Sequence, residues 1–148
     1  DDTVLVCPVH PNPDVQRSAC KLLGDRDRVS LIEPLAYTDF FCLLNAAWLV
    51  LSDSGGIQEE IVTLGKPLLV LREQTERPEA ISSGTARLAR TPRELARELE
   101  TAAAPGSWCS RVSAAENPFG DGRSGARIAK AISAFVEGTD VGQKSGAG

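Results

Sequence analysis

The sequence contains no methionine, a single histidine (His10) and no C-x-x-C pair. With Cys7, Cys20, Cys42 and Cys109 dispersed and only His10 as a further soft ligand, no zinc site is expected, and neither a metal nor another cofactor is called for. Scattered cysteines of this kind suit a reducing compartment, so a cytoplasmic location is expected. Basic residues are also in deficit. The 16 Lys+Arg against 20 Asp+Glu leave a net charge of −4 and a pI near 5.0, which excludes a broad basic surface for nucleic acid or an anionic membrane. An anionic ligand would have to be held by local features. Long hydrophobic runs are missing as well: the longest, Phe40 to Leu51, is broken by Asn45 and falls short of the ~20 residues a transmembrane helix needs. No basic n-region or signal h-region opens the chain, which passes from Asp1-Asp2 directly into an apolar run, as expected of part of a longer reading frame.

What remains is 148 residues, 42% of them apolar, enough for one ordinary globular core. Val4 to Val9 is a continuous apolar run stopped by prolines, the pattern of a strand buried on both faces of a parallel sheet. Asp14 to Leu23 has helical spacing ending at Gly24, Val29 to Ile32 reads as a second strand, and Thr38 or Asp39 is placed to cap a helix to about Ala46. Trp48 to Leu51 is a third strand, Ile57 to Leu64 a helix closed by Gly65, and Pro67 to Leu71 a fourth strand. This alternation predicts an α/β fold, a Rossmann-like parallel sheet flanked by helices. Arg72 to Ser83 has no period and reads as a loop at the carboxyl edge of the sheet, where ligands bind. Thr85 to Leu88 follows as a short strand, then helices over Pro92 to Ala103, Ser107 to Ala115 and Arg123 to Val136, the last expected to pack on the core. Residues 1–137 form the expected domain, and the glycine-rich 138–148 an expected disordered tail.

The strongest chemical signal is Ser52-Asp53-Ser54-Gly55-Gly56-Ile57-Gln58-Glu59-Glu60, a strand end, a glycine pair and a helix start. Unpaired amides and a positive dipole at that terminus suit a phosphate held by the Ser54, Gly55 and Gly56 N–H groups and the Ser54 hydroxyl, and the glycines would let it approach the backbone. A tight turn with Ser54 as N-cap explains the same residues equally well. Glu60 is placed to accept from a ribose diol, with Glu59 facing outward, although two dipole-stabilising carboxylates are the plainer account. Arg77, in a run of alternating charge, is the candidate cation to close over a phosphate; a solvated loop is the commoner outcome for such runs. His10 lies just past the first strand and is the one group titrating near neutral pH. Gly120-Asp121-Gly122-Arg123-Ser124-Gly125 spells G-x-G-x-x-G but follows Asn117-Pro118-Phe119 instead of a strand, so it is not taken as a dinucleotide loop.

These segments occur in a familiar order. Val9-His10-x-Asn12-Pro13, Glu33-Pro34-Leu35, Ser54-Gly55-Gly56-Ile57-Gln58-Glu59-Glu60, Thr75-Glu76-Arg77-Pro78-Glu79 and Asn117-Pro118-Phe119-Gly120-Asp121-Gly122 resemble the non-hydrolysing UDP-N-acetylglucosamine 2-epimerases over about residues 4 to 137. The resemblance implies the C-terminal half of a two-domain, GT-B-like enzyme that interconverts UDP-GlcNAc and UDP-ManNAc by eliminating UDP and adding it back on the other face. It implies UDP contacts at Leu35, Phe40, Ser54, Gly55, Gly56, Glu60 and Arg77 and an activator site at His10. It also implies a UDP-sugar substrate, a missing N-terminal half, a homodimer, and catalytic carboxylates lying upstream of residue 1. The chain departs from the family pattern at Gln16, where an Arg is usual, and at Ile61-Val62-Thr63. The alternatives are the donor-nucleotide half of a GT-B glycosyltransferase, disfavoured by Thr-Glu-Arg-Pro-Glu, and a non-catalytic nucleotide-binding module.

Overall fold

The computed structural model describes residues 3–112 and 117–138, so the expected tail and the end of the Ser107 to Ala115 helix lie outside the described residues. The chain divides into two compact units, Asp1–Ala47 and Trp48–Gly148. In the first, β1 (Leu5–Pro8) and β2 (Val29–Ile32) pair in parallel with Leu5 opposite Val29 and Cys7 opposite Leu31. Between them runs α1 (Pro13–Leu23), begun by Asn12, whose side-chain oxygen accepts from the Asp14 N–H at 2.8 Å, and by Pro13, whose missing N–H is not needed in the first turn. α2 (Tyr37–Ala46) follows β2. Its N-cap is Ala36, with no side-chain hydrogen bond, so Thr38 and Asp39 fall inside the first turn instead of capping it; there Asp39 favours the helix dipole.

β1 is not buried on both faces: Leu5 and Val6 are partly exposed. Its ladder has two strands, and the helix packed against it, α1, covers β2.

In the second unit β3 (Val50–Ser52), β4 (Leu68–Val70) and β5 (Ala86–Leu88) form a parallel sheet with β4 in the centre. The parallel strands flanked by helices are those expected, but among the described residues the ladders are two: β1 and β2 in one, β3 to β5 in the other. All three residues of β4 are fully buried, which is why it reads as an unbroken apolar run. Leu69 packs with Ala102 and Trp108, with Leu51, Leu95 and Leu99 around them. Alternation turns Leu68 and Val70 to the other face. There α3 (Gly55–Leu64) lies against β4 and buries Ile61 and Val62. α3 stops at Gly65, whose left-handed backbone (φ 60°) turns the chain into β4 at little steric penalty.

The expected loop after β4 contains a short helix, α4 (Pro78–Ser82), started by Pro78 and Glu79. α5 (Pro92–Ala103) has the bounds expected of it, its first turn capped by the Thr91 hydroxyl accepting from the Glu94 N–H at 3.1 Å. A 3-10 helix spans Trp108–Arg111. α6 (Ser124–Val136) does not pack as expected: none of its residues is buried, and Ile128, Ile132 and Phe135 are 58%, 57% and 85% exposed. Periodicity shows which face of a helix is apolar but not what covers it. Among the described residues no helix is long and apolar enough to cross a membrane.

Candidate functional site

α3 begins at Gly55, two residues earlier than expected, so both glycines lie in its first turn. Glycine is a poor helix former, but the first turn has no intrahelical N–H bonds to lose. Ser54 is the N-cap by backbone geometry, as the plainer reading has it, but its side chain makes no capping bond, so its hydroxyl is not used within the helix end. The Ser54 N–H donates to Ser52 Oγ at 3.1 Å, so the donors this terminus offers begin at Gly55 and Gly56, not at Ser54 as expected. Neither glycine has positive φ. A Cβ on Gly55 would meet nothing within 4 Å, and one on Gly56 only Ser54 Oγ at 3.9 Å. Neither backbone conformation nor internal crowding demands glycine at either position; the bare backbone leaves open space over a positively polarised helix end.

The segment after β4 is tied to this turn by a chain of hydrogen bonds. Gln58 is 1% exposed; its Nε2 donates to the Ser54 carbonyl at 3.2 Å and its Oε1 accepts from the Thr75 hydroxyl. Thr75 Oγ1 accepts in turn from the Arg77 N–H at 3.0 Å. Arg77 Nε donates to Glu59 Oε1, and its Nη1 donates to the Glu76 carbonyl at 3.1 Å. Glu59 is therefore the counter-ion of Arg77, not the outward, solvated carboxylate expected. That hydrogen bond and its charge, helped by Glu76 and Glu79, hold the guanidinium further above its ordinary range. Arg77 Nη2 has no partner among the described residues. Glu60 is half-buried with no side-chain hydrogen bond among them.

Gln58, Thr75 and Ser52 lie within segments singled out in the sequence, but none of the three was given a role of its own. The signal that could have found Gln58 is one amide on a helix face otherwise made of Ile57, Ile61 and Val62.

In the first unit, Leu35 is partly exposed in the segment joining β2 to α2, and Phe40 is half-buried in the first turns of α2, its N–H donating to the Ala36 carbonyl at 2.9 Å. His10 is exposed just after β1, its Nδ1 accepting from the Asn12 N–H at 3.2 Å. Within the first unit, His10 and Leu35 follow the carboxyl ends of β1 and β2; within the second, Ser54 and the Arg77 segment follow those of β3 and β4, the end at which a parallel α/β sheet binds ligands.

The G-x-G-x-x-G segment is structural. Asn117 to Gly120 is a turn closed by the Gly120 N–H on the Asn117 carbonyl at 3.0 Å, and the Asn117 side chain donates to Thr63 Oγ1 of α3 at 2.8 Å. Asp121 accepts from the Arg123 N–H at 3.1 Å and takes both Nη atoms of Arg127, at 2.9 and 2.6 Å, which holds its carboxyl below the usual range.

Residues 1–133 match the family model described as UDP-N-acetylglucosamine 2-epimerase. Among curated relatives, the UDP-N-acetylglucosamine 2-epimerase of Salmonella typhimurium is 48% identical over 132 residues, covering 88% of this chain and 35% of that protein. Among solved structures, the S. aureus MnaA-UDP co-structure superposes with a TM-score of 0.85 at 37% identity, covering 99% of this chain and 40% of that one. The Neisseria meningitidis UDP-GlcNAc 2-epimerase bound to UDP-GlcNAc gives 0.81 at 38% identity, covering 87% and 35%. The chain thus spans little more than a third of the length of these relatives. Its matched residues, its parallel α/β architecture and these likenesses agree, and the chain belongs to the UDP-N-acetylglucosamine 2-epimerase family.

Proposed function

We propose that this chain is the UDP-binding half of a UDP-GlcNAc 2-epimerase, which interconverts UDP-GlcNAc and UDP-ManNAc by eliminating UDP and adding it back. The observation that carries this is the first turn of α3, where among the described residues nothing requires glycine at Gly55 and Gly56 and their bare backbone lies open on the helix whose Glu59 holds Arg77. The diphosphate would accept from those amides and from the Ser54 hydroxyl. Charge builds on the leaving diphosphate as the sugar C1–O bond breaks, and pre-set helix amides stabilise it without reorganising. Arg77 would add its remaining N–H donors, Glu60 would take the ribose diol, and Leu35 and Phe40 would contact the uracil. An activating UDP-sugar at His10, and a homodimer, belong to the same proposal.

The related S. aureus structure with UDP and the Neisseria meningitidis structure with UDP-GlcNAc support the ligand class. The carboxylates that move protons are assigned to polypeptide outside residues 1–148. The uncovered apolar stripe of α6 and the limited share of the relatives' length support a further body of protein. Calorimetric titration with UDP, together with NMR assay of UDP-GlcNAc, tests both parts. Heat of binding with no inversion at C2 is expected. No binding at millimolar UDP would refute the site, and C2 inversion by the 148-residue chain would refute the placement of the acids elsewhere.

A further inference from the structure

We infer that Gln58 and Thr75 are positioning residues that deliver the first turn of α3 and the Arg77 loop to the nucleotide as one pre-set unit. The inference rests on the proposed UDP site and adds to it what keeps its two halves in register.

The direction of each hydrogen bond in the chain is forced. The Arg77 N–H can only donate, so Thr75 Oγ1 accepts there and has its single proton left for another partner. That proton goes to Gln58 Oε1. An amide whose oxygen is engaged in this way must present its NH2 on the other side, where it meets the Ser54 carbonyl at 3.2 Å. The bonds thus run from the Arg77 main chain, through a hydroxyl and a buried amide, to the N-cap of the helix carrying Gly55 and Gly56. The next residue of α3, Glu59, holds the Arg77 side chain. One turn of helix therefore grips Arg77 twice, by its backbone through Gln58 and by its guanidinium through Glu59.

Stability alone does not call for this arrangement. A buried polar pair replaced on both sides by apolar groups of similar shape is often neutral for folding. What apolar packing cannot do is fix the loop to the helix at one register, because dispersion contacts have no direction while these bonds do. A charge-dense diphosphate profits most from that fixing, since donors already aimed at it need no ordering when it arrives. An uncharged nucleoside, touching neither the helix amides nor the guanidinium, gains nothing from it.

The test compares UDP with uridine. Thr75→Val keeps the side-chain shape and removes the hydroxyl; the UDP dissociation constant of the 148-residue chain should rise about tenfold, on the scale of one lost bridging hydrogen bond, while that of uridine changes less than about twofold. Thr75→Ser should restore UDP affinity. Gln58→Leu breaks the same bridge from the helix side and should show the same selectivity. Combined with Thr75→Val it should add little, because both substitutions cut one chain of bonds. Should one variant fail to fold by circular dichroism, the other reads the same effect. Unchanged UDP affinity in the folded variant, equal loss for UDP and uridine, or multiplying losses in the double variant would overturn the positioning role. If the parent chain binds no UDP, the proposed nucleotide site itself fails, which is a distinct outcome.

Discussion

Arg77 and Glu59 form an ion pair in which Arg77 Nε donates to Glu59 Oε1, with both side chains only partly exposed. The pair joins the segment after β4 to α3 three residues past Gly56, and it leaves part of the guanidinium fork free to meet a ligand.

A fork that shares its donors between a carboxylate and a phosphate is not replaced by a point charge. Arg77→Lys should weaken UDP binding by about tenfold or more in calorimetry, and the loss should shrink as salt rises and screens the ionic part. Equal affinity for the two proteins would remove Arg77 from the site.

Leu69 is fully buried at the centre of β4 against Ala102 and Trp108. Leu69→Ala should lower the unfolding free energy by about 2–5 kcal/mol in urea denaturation, the range for emptying a packed leucine site. A loss below about 1 kcal/mol would mean that this core is not the one described.

Much of the framework was legible in the sequence because its punctuation is chemical. β2 and α5 have the expected bounds, and α1 and α6 begin within one residue of expectation. In α1 and α5, Asn12-Pro13 and Thr91-Pro92 pair a capping side chain with a proline that starts a helix. The start of α3 was misplaced because two glycines resemble a loop when helix propensity is counted without regard to first-turn positions. α4 has five residues, too few to show a period. Burial of β1 and α6 depends on what lies against them, which local pattern does not encode. The Gly-Gly segment and Arg77 stand out in the sequence by their chemistry, whereas Gln58 and Thr75 lie 17 positions apart and meet only through the fold.

Asp121 anchors the start of α6 through Arg127 first and the Arg123 N–H second, and both favour its charged form. A carboxyl whose folded pKa lies below its unfolded one contributes stability that is fully present above the unfolded value and lost as pH falls through the folded one. NMR titration should place Asp121 below the ordinary carboxylate range, with the α6 N-terminal amides shifting in the same step. Asp121→Asn should abolish that step, and an ordinary midpoint in the parent chain would contradict the contact.

Burial pushes the Cys109 thiol up, against smaller opposing effects of Ser107 and Arg87, whereas Cys20 and Cys42 are exposed. Thiolate is the reacting species, so iodoacetamide at mildly alkaline pH should label Cys20 and Cys42 well before Cys109. Mass spectrometry of partly alkylated protein resolves the order. Cys109 reacting first would contradict its placement beside the Leu69 core.

A diphosphate seated on the first turn of α3 is what the proposed UDP site requires. Titrating UDP into the 15N-labelled chain and following each backbone amide addresses that turn directly. The amides of Gly55 and Gly56 are predicted to show the largest shifts and to saturate together, with uridine leaving both nearly unmoved. UDP binding that left these two amides in place, or shifts confined to other parts of the chain, would contradict it.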